Sequence, residues 1–202
     1  MPRLPWTTLT ICVTALLIQA GGASVQKDMQ MLPLRRVTHE PWRWVTGHLT
    51  HADAGHLLWD LLPVLMLSCL VELLAPRRLH VLLLGAVVLT PPALWITAPD
   101  ITHYRGLSGV AAGLWVAAAG LAYRRGWITR GWLGAALLGL AAKLAVEGVG
   151  PALFADLPAG WRVVPGVHAA GAAAGALSLV RLRRASAVQC GSDPSPTYLC
   201  GA

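Results

Sequence analysis

Residues 56–98 read HLLWDLLPVLMLSCLVELLAPRRLHVLLLGAVVLTPPALWITA, two long apolar runs hinged on Pro76-Arg77-Arg78. Each run comes close to the roughly 20 residues that a helix needs to cross a hydrocarbon core about 30 Å thick. Neither shows the 3.6-residue stripe of a helix with one wet face. Membrane embedding follows, and the same pattern continues on both sides. Apolar segments cover 6–24, 56–74, 79–98, 108–123, 131–147 and 165–181, each bounded by charges, prolines or tryptophans. The sequence therefore predicts an all-α polytopic bundle of six transmembrane helices over 1–184, followed by a Ser/Pro/Gly-rich cytoplasmic tail, 185–202, expected to be disordered.

Composition agrees. The chain is 55% hydrophobic and 12% charged, with a mean hydropathy of +0.58, about half the charge share of a soluble domain. A net charge of +7 could suit nucleic acid, but the arginines sit in short clusters between apolar runs, as at cytoplasmic membrane edges. Nucleic acid is excluded as a partner on that ground. Cys12 and Cys69 lie within apolar runs, Cys190 and Cys200 in the tail, and no spacing resembles a zinc or redox motif, so all four read as free thiols.

Loop charges set the topology. With the amino terminus inside, the inner edges hold Arg3, Arg77, Arg78, Arg124, Arg125, Arg130, Arg181, Arg183 and Arg184. The outer loops hold Lys27, Arg35, Arg36, Arg43, Arg105 and Arg162, diluted by Asp28, Glu40, Asp53, Asp100 and Asp156. Both termini are thus expected inside. Trp6, Trp95, Trp127, Trp132 and Trp161 fall near segment ends, where amphipathic rings settle, while Trp59 and Trp115 are deeper and expected to pack between helices. The stretch 26–55, rich in Trp and His, is long for a loop and predicts structure of its own.

An ionisable side chain in a span marks function by default because it is costly there. His56, Asp60, Ser108 and His168 all fall at the outer ends of segments two, four and six. Ser108, between Leu107 and Gly109 at the start of a short helix, has unpaired backbone N–H groups at hand for a developing negative charge. Taken alone, Gly106-Leu107-Ser108-Gly109 in an Ala/Gly-rich chain is most often just a packing or capping motif. His168 adds a base, and Gly171 and Gly175 lie on its helix face at i+3 and i+7. Gly109 and Gly113 give segment four a matching smooth face, so close packing would bring the hydroxyl toward the imidazole.

In this order the residues resemble the rhomboid family of intramembrane serine proteases, and within it the rhombosortase branch. The resemblance runs through Trp42-Arg43, His51 and His56, Glu72, Gly106-Leu107-Ser108-Gly109, and His168 with Gly171 and Gly175. It implies a six-helix fold, which favours a retained first helix over the cleavable signal peptide that Arg3 and Ala20-Gly21-Gly22-Ala23 would also fit. It implies a Ser108–His168 dyad with no third carboxylate, no metal and no cofactor. The oxyanion would be held by the Ser108 N–H, His56 and the Asp60 position, supported by His51, Gly106, Gly109, Gly171 and Gly175. Implied substrates are secreted proteins whose carboxyl-terminal sorting segment joins a Gly-Gly motif to a transmembrane stretch. The implied setting is the lipid of a bacterial inner membrane, with the site facing the periplasm.

Two positions depart from the family's pattern. Asp60 stands where asparagine is common, and an ionised carboxylate would repel an oxyanion, so it is expected either protonated or bonded to His56 and orienting it. Ala112 stands where a ring often packs on the catalytic histidine, leaving Trp115 or first-loop residues to hold His168. Two other functions compete. His48, His51, His56 and Asp60 have ligand-like spacings suited to a membrane metal protein or transporter, and an inactive rhomboid-like binding protein would keep the fold alone. Lys143 and Glu147, at i and i+4, read as a simple pair.

Overall fold

The computed structural model of the protein describes residues 4–32, 39–149 and 162–180. The tail 185–202, with Cys190 and Cys200, lies outside the described residues, as does Trp161. The described residues form an all-helical bundle: α1 (Trp6–Ala20), α2 (Gly22–Met29), α3 (Arg43–Thr46), α4 (Ala54–Leu74), α5 (Pro76–Thr97), α6 (Ser108–Arg124), α7 (Arg130–Val149) and α8 (Pro165–Leu179). By length and composition, α4, α5 and α7 are long and apolar enough to cross a membrane, while α1 is apolar but shorter. The chain is a multi-pass membrane protein.

Local chemistry sets the helix ends. Asp53 caps α4, its Oδ1 accepting the His56 N–H at 2.8 Å, one of the orphan donors of a first turn. Pro76 and Pro165 open α5 and α8, where a missing N–H costs nothing. At the far end of α4, Glu72 accepts the Thr7 and Thr8 N–H groups, each at 2.8 Å, and the Thr8 hydroxyl at 2.7 Å. That carboxylate caps α1 and ties it to α4.

The centre is a glycine-lined contact between α6 and α8. A Cβ at Gly113 would come within 2.5 Å of the Gly171 carbonyl oxygen, and one at Gly109 within 3.1 Å of the Val167 carbonyl oxygen. Backbone meets backbone there, the close approach that small residues permit between membrane helices. Around it a single apolar cluster gathers Val64 and Val71 of α4, Leu79 and Leu82 of α5, Leu114 and Ala117 of α6 and Ala174 of α8. By contrast, α7 buries only Glu147.

The stretch ahead of α4 has its own order, with α2, α3 and an antiparallel bridge between Met31 and Tyr104. Arg43 organises it. Its buried guanidinium donates to the Lys27 and Gln30 carbonyls at 2.9 and 3.1 Å and to Glu40 at 2.8 Å. Trp59 and Trp115 correct an expectation: they are 53% and 45% exposed rather than buried between helices. They line an open cleft instead, because α7 does not close against α4.

Candidate active site

The amino-terminal ends of α4, α6 and α8 and the carboxyl-terminal end of α7 converge on one cleft of about 860 Å³. Its deeper walls are apolar, with Leu62 and Met66 of α4, Ala111 and Trp115 of α6 and Leu140 of α7. Its rim is polar, formed by residues 100–105 and by Arg162, which pairs with Asp100 at 2.5 Å. An apolar trough with a polar mouth can take a membrane segment while admitting water at one end.

Ser108 is the first residue of α6, and the turn before it is built for close approach. Gly106 has φ +128°, and a Cβ there would stand 2.9 Å from Asp60 Oδ2 and 3.1 Å from His56 Nε2. The Leu107 N–H donates to Asp60 Oδ2 at 2.7 Å and the Gly106 N–H to the Gly47 carbonyl at 3.2 Å. Arg105 adds a side-chain tie, Nε to Gln30 Oε1 at 2.9 Å. The Ser108 hydroxyl then lies 2.9 Å from His168 Nε2. These two residues, sixty positions apart, meet on the cleft wall.

Glu147 corrects the picture of an isolated pair. Its Oε2 lies 2.9 Å from His168 Nδ1 and its Oε1 2.6 Å from Lys143 Nζ. A third carboxylate is therefore present, and it is Glu147, rather than Trp115 or the first loop, that holds the imidazole. Trp115 instead donates its indole N–H to the Ala136 carbonyl at 2.9 Å. The Lys143–Glu147 pair exists as expected, but it continues into the histidine. The i, i+4 spacing concealed this, since it accounts for both residues without a third; the one available signal was an acid lying within an apolar span.

Asp60 sits between two rings, its Oδ2 3.3 Å from His51 Nε2 and 3.5 Å from His56 Nε2. With the Leu107 amide also donating to it, this oxygen is an acceptor that faces both rings. His56 Nδ1 accepts the Ala52 N–H at 3.4 Å, which leaves the proton on Nε2, facing the turn. His51 is fully buried and stacks edge-on with His56 at 5.2 Å between centroids. Tyr104, which the sequence did not single out, is buried with its hydroxyl against the Ser108 side chain and the Gly109 amide, and burial pushes its phenol pKa up. It is neutral at any ordinary pH.

His48, His51, His56 and Asp60 do not converge as ligands: among the described residues no three His, Cys, Asp or Glu side chains gather to hold a metal ion. His48 faces Tyr104 instead, 6.5 Å between ring centroids. Burial without a hydrogen-bond partner on either ring nitrogen lowers its pKa to about 4.

The family model of the Rhomboid domain matches residues 38–185, well over half of the chain's 202 residues. The chain belongs to the rhomboid family, a family of intramembrane proteases. No curated protein matches it.

Proposed function

We propose that this protein is an intramembrane serine endopeptidase of the rhombosortase branch, with Ser108 as nucleophile and His168 as general base. The observation that carries the reading is the 2.9 Å approach of the Ser108 hydroxyl to His168 Nε2 on the wall of a partly polar cleft. That distance is what proton transfer from an attacking hydroxyl requires. Ser108 Oγ adds to a peptide carbonyl carbon as His168 Nε2 takes the hydroxyl proton. The carbonyl electron pair moves onto oxygen, where the Ser108 N–H at the helix start would face it, together with the His56 Nε2–H, shared with Asp60 Oδ2. Collapse breaks the C–N bond, and the proton on His168 goes to the leaving amine. Water entering at the rim hydrolyses the acyl-enzyme by the same route in reverse.

In this reading Asp60 orients His56 and fixes the Leu107 amide. Gly106, Gly109, Gly171 and Gly175 let the three helices approach, and His51 buttresses His56. All six apolar segments span the inner membrane of a bacterium, and the site opens toward the periplasm. Substrates are membrane-anchored tails of secreted proteins carrying a Gly-Gly sorting segment, and the apolar cleft walls of α4 and α7 would receive one.

Co-expression with a Gly-Gly-tailed secreted protein tests this directly. Ser108→Ala and His168→Ala should each reduce processing at least ~10³-fold, and chelators should leave it unchanged. Undiminished processing in both variants would remove the reading.

A further inference from the structure

The pair of Ser108 and His168 is sufficient for the chemistry just described, yet a buried carboxylate stands behind the imidazole. Glu147 is the one buried residue of α7, with its side chain 4% exposed, and His168 is as enclosed at 6%. Neither oxygen is spare, because one meets His168 Nδ1 and the other Lys143 Nζ. A buried carboxylate is costly unless it is paired. Here both partners are hydrogen-bonded at contact distance.

We propose that Glu147 is a positioning residue for His168: accepting the Nδ1–H, it fixes the tautomer whose bare Nε2 faces the Ser108 hydroxyl, while Lys143 keeps the carboxylate aimed. The proposal rests on Ser108 and His168 being the reacting pair. A carboxylate on Nδ1 also stabilises the imidazolium that forms as the serine attacks, the work of the acid in a three-residue protease site. Lys143 opposes that effect by drawing negative charge toward itself. Because Glu147 and Lys143 both ride on α7, the loosely held wall of the cleft, the base is fully set only when that wall is in place.

The test is the rate at which a serine-directed fluorophosphonate labels the full-length protein in detergent between pH 5 and 9. Wild type should label and Ser108→Ala should not. Glu147→Gln should label ~10²-fold more slowly or worse, with partial recovery in Glu147→Asp. The pH of half-maximal labelling should fall in Glu147→Gln, which removes a negative charge beside His168, and rise in Lys143→Met, which removes a positive one. The remaining titratable groups around His168 are unchanged in these variants: His56 and Asp60 from α4, Tyr104 and Arg105 ahead of α6, and Asp100, His103 and Arg162 at the rim. Opposite displacements would not arise from loosened packing. Nitrogen-15 shifts of His168 give an independent reading, Nδ1–H in wild type and mixed tautomers in Glu147→Gln. A labelled wild type with an indifferent Glu147→Gln, or an Nε2–H tautomer in wild type, overturns this proposal alone. An unlabelled wild type overturns the peptidase reading and this proposal with it.

Discussion

Asp60 carries more of the site than its distance from the reacting atoms suggests. One oxygen of its carboxylate accepts the Leu107 N–H and faces two histidine rings. Asp60→Asn keeps an acceptor for that amide, so at least a tenth of wild-type labelling should survive. Asp60→Ala leaves a buried N–H unsatisfied, at a cost of about 1–3 kcal/mol, and should lower both labelling and the melting temperature. Abolished labelling in Asp60→Asn would mean that the charge itself is needed. Gly106→Ala tests the turn: with φ +128° and the new methyl against Asp60 and His56, labelling should drop more than tenfold while the bundle stays folded. Ser108, His56 and His168 were legible because a polar group within a span stands out against its neighbours. Glu147 was hidden because Lys143 already explained it, and Tyr104 because nothing about a tyrosine in a loop announces that its hydroxyl turns inward.

At the scale of the element, the boundaries read from hydropathy fall within a few residues of the observed helices, since a run of apolar residues has little choice but helix in a membrane. What hydropathy could not supply is which faces meet. The glycines supplied that for α6 and α8, where spacing alone placed Gly109 and Gly113 opposite Gly171 and Gly175. Gly171→Val would push a branched side chain into the Gly109 backbone. It should destabilise by roughly 3 kcal/mol or more, seen as a lower melting temperature and loss of labelling together. Trp59 and Trp115 went the other way: depth in a segment predicted burial, but depth does not say whether a neighbouring helix closes the gap. Arg43 was counted among outer-loop charges, and its guanidinium proves to be spent on the carbonyls of Lys27 and Gln30.

For the whole molecule, acid is the condition to vary. His48 is neutral in the folded state with a pKa of about 4, whereas an exposed histidine titrates near 6.5. Below that value the unfolded chain takes up a proton that the folded chain refuses, so this contribution is intact above pH 6.5. It is lost progressively down to about pH 4, by up to roughly 3 kcal/mol. Melting in detergent should therefore fall steadily between pH 7 and 5, and His48→Leu should flatten that slope. An unchanged slope would show that His48 is not the group responsible.

The backbone-to-backbone seam between α6 and α8 has one more implication. No layer of flexible side chains separates the carriers of the hydroxyl and the imidazole, so these two groups behave as fixtures of a single strut. Detergents or lipids that slacken the periphery cannot draw them apart by degrees. Heat inactivation should accordingly be abrupt and should coincide with global unfolding.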